Sequence, residues 1–299
     1  MNAKTPPASF SMSRRGALGG LALACAPLMG AKAWAAAPAP DAPPMALPLA
    51  LQQICGHIGI SVRDVEKSAL FYSRLFGGEN VNGEKEPFLR YFITLGAGGS
   101  VAIGKIGTLG SQGKTTPLID HYCVGAKPYN DAAWRARLKA EGLAYIAQGV
   151  FLDPEGIAVQ VAGGEGGESL SAGEVQKLPT LYAGAPLVRA RGYDHIMLHV
   201  RDLQKQTAFY EKIFGLKVSE RRKGIVFFSG ETRLGLTQAP AGEAPGVHHY
   251  AVKVPAFDRA KLSDGLRGIG ATILPIGEEN KKALRFSDPD GLVVEFWPV

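Results

Sequence analysis

The sequence predicts an α+β fold of four β-α-β-β-β modules, two in each of two tandem domains. Three observations carry that expectation. First, one pattern is written twice. His57-Ile58-Gly59-Ile60-Ser61-Val62-Arg63-Asp64 leads into Phe71-Tyr72 and Leu75-Phe76-Gly77, and His195-Ile196-Met197-Leu198-His199-Val200-Arg201-Asp202 leads into Phe209-Tyr210 and Ile213-Phe214-Gly215. His57 and His195 stand 138 residues apart, as do Tyr72 and Tyr210, and a period of this size marks a duplicated unit. Second, each copy reaches another His-Tyr pair, His121-Tyr122 and His249-Tyr250. Third, each copy closes on Asp-Pro-acid-Gly, at Asp153 to Gly156 and Asp288 to Gly291.

The elements follow in chain order. Residues 1–37 read as a signal peptide. Ser13-Arg14-Arg15 precedes an uncharged stretch from Gly16 to Ala31, followed by Ala31-Lys32-Ala33 and Ala33-Trp34-Ala35, both of the small-x-small type. The apolar stretch is short for a bilayer core of ~30 Å, so no stable membrane insertion is expected after cleavage. The paired arginines point to the twin-arginine route, which carries folded proteins, and hence to a periplasmic or secreted location. An ordinary general-secretion signal is the alternative. Residues 38–53, rich in Ala and Pro, read as a linker.

The first domain is expected over residues 54–162, a Gly-rich and polar connection over 163–191, and the second domain over 192–299. His57 to Val62 and His195 to Val200 are short, apolar and β-branched, as strands are. After each, an Asp precedes a segment with apolar residues at helical spacing, ending at Gly77 or Gly215, where helix C-caps belong. Strands are expected at Tyr91 to Leu95, Ser100 to Ile103, Ile225 to Ser229 and Arg233 to Thr237. The second cycle starts at His121 and His249, continues in helices at Ala132 to Glu141 and Asp258 to Ile269, and closes in strands at Ala158 to Val161 and Leu292 to Trp297. In the Asp-Pro-acid-Gly segments, Pro and Gly supply the dihedrals of tight turns.

With 299 residues and 46% hydrophobic content, the chain can bury two ordinary cores. Its net charge of +6 and pI near 9.2 come without a run of five or six Lys/Arg. This describes a solvated basic surface and not a nucleic-acid partner, with acidic small molecules favoured. Cys25 leaves with the signal. Cys55 and Cys123 do not make a disulfide framework, although one bridge between them is open in an oxidising compartment.

The chemistry-bearing residues are histidines and a carboxylate at strand positions. In the second domain His195 and His249 begin strands and Glu295 lies in the last one. Two neutral imidazoles and one carboxylate on one side of a divalent ion form a facial triad, with positions left open for substrate. Each residue has a plainer reading, His195 as a satisfied core histidine above all. Glu295 lies between Val294 and Phe296, where an unpartnered carboxylate is costly to bury, and a metal would partner it. His248 is ambiguous, because adjacent strand residues face opposite ways. His199 lies roughly 13 Å along the strand from His195 and reads as packing or support.

These features resemble the vicinal oxygen chelate superfamily, which includes glyoxalase I, fosfomycin-resistance proteins and type I extradiol dioxygenases. The resemblance rests on His57 and His195 before Phe-Tyr helices, on His121 and His249 opening the second modules, and on Asp288-Pro289-Asp290-Gly291 followed by Val294-Glu295. It spans nearly the whole mature chain. It implies paired modules forming a half-open barrel around a metal, with His195, His249 and Glu295 as ligands. In the first domain the matching positions are His57, His121 and Gln160, and the neutral amide of Gln160 implies a degenerate site. The fourth, glutamate ligand of glyoxalase I falls near Gly235, where no carboxylate stands. The acid-base His and the Tyr of the dioxygenases fall on Thr232 and Arg285. Arg285 is instead a candidate to hold an anionic substrate, or simply to pair with Asp288 or Asp290.

The expected function is an exported metal-dependent enzyme acting on a small oxygen-bearing, anionic substrate, dioxygenase-like by its three-ligand site. Fe(II) is the preferred ion, with Zn, Mn or Ni as alternatives, and a homodimer is among the expected assemblies. A glyoxalase-like isomerase, lyase or thiol transferase is one alternative. A small-molecule-binding protein without catalysis, like the bleomycin-resistance members, is another.

Overall fold

The computed structural model describes residues 50–299 apart from 54–55, 79–81, 85–88, 97, 109–110, 128, 148, 164–175 and 278–279. The expected signal peptide, most of the expected linker and Cys55 lie outside the described residues. Each half builds the same eight-stranded sheet. In the first half the strands are β2 (His57–Val62), β3 (Asn82–Glu84), β4 (Arg90–Thr94), β5 (Ser100–Lys105), β6 (Leu118–Lys127), β7 (Tyr145–Ala147), β8 (Val150–Leu152) and β9 (Ala158–Gly163), preceded by β1 (Ala50–Gln53). Their order is β3-β4-β5-β2-β6-β9-β8-β7.

After β10 (Gln176–Lys177), the second half contributes β11 (Tyr193–Val200), β12 (Val218–Arg222), β13 (Ile225–Phe228), β14 (Arg233–Gln238), β15 (Gly246–Val254), β16 (Thr272–Leu274), β17 (Leu284–Ser287) and β18 (Val293–Pro298). Their order, β12-β13-β14-β11-β15-β18-β17-β16, repeats that of the first half. Among the described residues β12 and β16 are not paired to each other, so the sheet stays an open cup. The halves join through β6 and β15 at Ile119 and Val247.

The helices are α1 (Val65–Phe76), α2 (Asp131–Ala140), α3 (Leu203–Phe214) and α4 (Arg259–Gly268). Asp64 and Asp202, the aspartates read from the sequence, are N-caps: each side chain accepts from a backbone N–H three residues on. Gly215 follows α3 in the left-handed conformation that closes a helix. Among the described residues no helix is long and apolar enough to cross a membrane.

What differs from the sequence reading lies at strand starts and sheet edges. β15 begins at Gly246 and β11 at Tyr193, so His249 and His195 stand inside their strands, where neighbours on both sides hold them. β12 reads Val-Ser-Glu-Arg-Arg and is largely exposed at an edge, where apolar alternation is not required.

The first helix of each half, α1 or α3, reaches across to the opposite half. Tyr72 of α1 donates its hydroxyl to Asp288 Oδ2 at 2.8 Å, and Tyr210 of α3 donates to Asp153 Oδ2 at 2.8 Å. Phe76 packs edge-on to Phe296 at 6.1 Å, while Phe214 meets Phe151 at 6.1 Å and Trp134 at 5.9 Å. The acidic residue of each turn also reaches across. Glu155 accepts from the backbone N–H groups of Arg201 and Asp202 at the start of α3, and Asp290 pairs with Arg63 and accepts from Ser68 Oγ beside α1. The two turns foreseen as simple chain reversals are thus docking points, and the described residues form one compact unit.

Burial pushes the Asp288 carboxyl up to about 6, against the hydrogen bonds from Tyr72 and the backbone of Leu292. The folded state therefore keeps this proton more tightly than the unfolded chain. The stability it contributes is present below about pH 4 and is lost as pH rises to about 6, roughly 3 kcal/mol in all. Asp288→Asn should flatten that slope, since the amide accepts the same backbone bonds and cannot ionise. Urea midpoints at pH 4.5 and pH 7 check this, and an unchanged slope would assign it to other groups.

Candidate metal centre

The second cup is built from alternate residues of five strands. His195, Met197 and His199 of β11, Arg233 and Thr237 of β14, Ile225 and Phe227 of β13, Arg285 of β17, and Glu295 and Trp297 of β18 line a cavity of about 210 Å³. His249 of β15 completes its floor, and His248, Arg222 and Asn280 stand around it.

His195, His249 and Glu295 come together at the bottom, all three buried, with one ligand atom from each within 4.8 Å of the others. The Nε2 atoms of the histidines are 3.3 Å apart, and they stand 3.8 and 3.6 Å from the two oxygens of Glu295. Ligands about 2.0–2.2 Å from one ion are separated by roughly 3.0–3.5 Å when they share a face. The triad needs little movement to reach that span.

The outer partners fit the same purpose. His195 Nδ1 lies 2.7 Å from Asp194 Oδ1, and the same oxygen accepts from Arg233 at 2.5 Å. Burial alone would raise Asp194, but hydrogen bonds from His195 and Arg233 outweigh it and hold the carboxyl at about 2. An ionised Asp194 accepts the hydrogen bond of the His195 Nδ1–H, which leaves Nε2 to face the Glu295 carboxylate. Acceptor facing acceptor in a buried site calls for a cation between them. Phe227 and Trp297 hold the His195 ring edge-on at 5.7 and 5.5 Å. His249 is kept neutral, well below the usual imidazole range, by burial and then by His195 and His248. Asp194→Ala should weaken metal affinity by about 10- to 100-fold without unfolding the chain, measured by competition with a chelator.

Arg285 pairs with Glu295, not with Asp288 or Asp290. Its Nε donates to Glu295 Oε1 at 2.6 Å and a second nitrogen contacts the same oxygen, while Trp297 Nε1 donates to Oε2 at 2.8 Å. The guanidinium lines the cavity and is partly exposed, so it can also meet a bound anion.

His248 reaches the cup, which strand parity hid, and His199, read from its distance along the strand as packing or support, lines the cup as well. The pairing of β11 with β15 slips between Met197–His249 and Leu198–Val247, which leaves His248 as a bulge. A bulge turns two consecutive side chains to one side. The His248 ring stacks on His199 at 3.9 Å, and His199 Nδ1 bonds Glu243 at 2.5 Å. Burial, then His199 and Arg285, push His248 down to about 4.

The fourth-ligand position is closed. A Cβ on Gly235 would lie 2.7 Å from both Met197 Cε and Phe227 Cε1, so thioether and ring occupy that place. Thr232 is buried and lies outside the residues that line the cavity.

The first half repeats the floor with other chemistry. His57 Nε2 and His121 Nε2 are 3.0 Å apart, and Gln160 hydrogen-bonds His57. Cys123 is buried, which pushes its thiol up to about 12.

A family model described as Glyoxalase/Bleomycin resistance protein/Dioxygenase superfamily matches residues 192–296. The metallothiol transferase FosB of Lysinibacillus sphaericus (strain C3-41) is 30% identical over 112 residues, which cover 34% of this chain and 79% of that protein. Similar solved structures include the Mn(II)-bound glyoxalase of Novosphingobium aromaticivorans, at 20% identity and TM-score 0.58 over 82% of this chain and 81% of that one. The 2,3-dioxygenase LapB of Pseudomonas sp. KL28 aligns at 14% identity and TM-score 0.59 over 84% and 94%. Homoprotocatechuate 2,3-dioxygenase of Arthrobacter globiformis aligns at 17% and 0.57 over 86% and 83%. At these identities the structures establish a shared fold.

Proposed function

Because the chain belongs to the Glyoxalase/Bleomycin resistance protein/Dioxygenase superfamily, we propose that its second cup is the active centre of a metal-dependent enzyme acting on a small, anionic, oxygen-bearing substrate. The observation that carries this reading is the closed set of three buried ligands, His195, His249 and Glu295, with the fourth protein position filled by Met197 and Phe227. A divalent ion held by these three side chains, Fe(II) for a dioxygenase-like reaction, would supply Lewis acidity toward a substrate oxygen.

The chain's own residues do the rest. Asp194 fixes the His195 tautomer. Arg285 and Trp297 aim the Glu295 carboxylate. Arg222 and the outer edge of Arg285 give the cup its preference for anions. His199, held by Glu243 at Nδ1 and stacked on His248, lines the cup as a hydrogen-bonding group for the substrate. The enzyme is exported by the segment read over residues 1–37, and its two halves are tandem domains of the superfamily.

A second reading, thiol transfer to an anionic substrate, is favoured by the 30% identity to a metallothiol transferase. One set of assays separates them. The mature protein is purified without oxygen and loaded with Fe(II), then Mn(II), then Zn. Oxygen uptake with Fe(II) and 3,4-dihydroxyphenylacetate or related acids supports the first reading. Metal-dependent loss of an added thiol to an anionic epoxide, the sulfur bonding to a ring carbon as its C–O bond opens to an alcohol, without oxygen uptake, supports the second. A protein that takes up no metal would reduce both to a small-molecule-binding module.

A further inference from the structure

The first cup is degenerate in charge but not in geometry. His57 occupies on β2 the place His195 has on β11. His121 faces Gly59 across β2 and β6 as His249 faces Met197, and Gln160 lies on β9 as Glu295 lies on β18. The Nε2–Nε2 separation of 3.0 Å compares with 3.3 Å in the second cup.

The support for this cluster is fully built. The pairing of β2 with β6 slips between Gly59–His121 and Ile60–Ile119, leaving Asp120 as a bulge in the place of His248. Asp120 Oδ1 bonds His121 Nδ1, and Asp120 Oδ2 accepts from Ser61 Oγ at 2.5 Å. Ser61 Oγ also lies 2.7 Å from Ser111 Oγ. Ser61, Ser111, Asp120, His121 and Gln160 are all buried. A Cβ on Gly59 would meet His121 Cε1 at 2.0 Å and Asp120 Oδ1 at 2.6 Å, so only glycine leaves room for this pair. With Nδ1 engaged by Asp120, His121 turns Nε2 toward His57, as His195, engaged by Asp194, turns Nε2 toward Glu295. A buried carboxylate, two serines and a cleared strand position are a costly frame for a single histidine–histidine contact.

We propose that His57, His121 and Gln160 form a second divalent-cation site in the first half, weaker than the first. Two imidazoles and an amide oxygen suit a borderline ion such as Zn, Ni or Fe(II). They bring no charge of their own; the nearest carboxylate, Asp120, acts through His121. The weaker affinity follows from that missing charge.

The test uses the full mature chain, with Zn and Co(II) as probes. Bound ions are counted by elemental analysis after equilibrium dialysis at millimolar metal, and the sites are read by Co(II) absorption. Wild type should bind two ions per chain, and Glu295→Ala should retain one. Adding His57→Ala, or the milder His57→Gln, should remove that one with the melting temperature of the metal-free protein unchanged. Gln160→Glu should tighten the first site by about tenfold or more. The loss of one ion in Glu295→Ala judges the second cup, and the ion that remains judges the first. A folded Glu295→Ala chain with no ion, together with a Gln160→Glu chain that gains no affinity, would overturn this proposal and leave the second cup standing. No ion in wild type would overturn both.

Discussion

Glu295→Ala should abolish the ion in the second cup and lower kcat/KM at least about 1,000-fold, near 4 kcal/mol of transition-state stabilisation. The carboxylate is the sole negative ligand of the triad, and without it two imidazoles are left with neither a third donor nor a compensating charge. The stability effect separates ligand from scaffold. In metal-free protein the variant should stay within about 1 kcal/mol of wild type, because a buried carboxylate is itself costly and Arg285 is partly exposed and free to turn to solvent. With metal at 1,000 times its Kd, wild type should gain about 4 kcal/mol that the variant lacks. Thermal melts with and without metal, beside elemental analysis, give both numbers. A variant stabilised as much as wild type would remove Glu295 from the ligand set. Glu295→Gln keeps the shape, the Trp297 bond and an uncharged oxygen donor, so its difference from Glu295→Ala in metal-free protein measures packing and that hydrogen bond, and its residual metal binding measures what a neutral donor still holds.

The largest effect on stability alone should come from the turn aspartates. Asp288→Ala strands the backbone N–H groups of Asp290 and Leu292 and the buried hydroxyl of Tyr72. Asp153→Ala strands those of Glu155 and Ile157, the Tyr210 hydroxyl and the Gln206 amide. At about 1–3 kcal/mol for each unsatisfied group, partly relieved by water, each variant should cost roughly 3–5 kcal/mol in urea unfolding. Tyr72→Phe and Tyr210→Phe, which leave the turn bonds intact, should cost about 1 kcal/mol each. If the alanine variants cost no more than the phenylalanine ones, the turns would be merely local structure. Because the two turns lie in different halves, a double variant that costs more than the sum would show that the docking points reinforce one another.

Much of the fold was legible because it is written twice. His57 to Val62 is β2 to the residue, and the aspartates before each helix are caps. Periodicity does not see an edge strand: β12 carries Glu220, Arg221 and Arg222 where sheet pairing alone, not burial, holds it. At the site, His195 and His249 were readable from residue type and their places in the repeated strands, and Glu295 from its place after the Asp-Pro turn. His248 was not, because it faces the cup through a one-residue slip in pairing, and a slip inverts parity without changing any letter of the sequence. The partner of Arg285 was hidden for a related reason. Glu295 is ten residues away in sequence but directly opposite across β17 and β18, while the nearer Asp288 is already saturated by its own turn and by Tyr72. The role of Glu155 and Asp290 was equally out of reach, since their partners lie 46 and 227 residues away.

The exchange of tyrosines between halves bears on how such a molecule can be divided. A chain holding residues of one half alone would carry a helix with a hydroxyl and no acceptor, and a turn with an acceptor and no hydroxyl. Two such chains could satisfy each other by the same pair of contacts, each lending its helix to the other's turn. The duplicated chain therefore holds a two-fold partnership within one polypeptide, and once both surfaces are covalently tethered, their meeting no longer depends on concentration. Freed from the need to be identical, the halves can differ in chemistry, one cup keeping Glu295 and the other accepting Gln160.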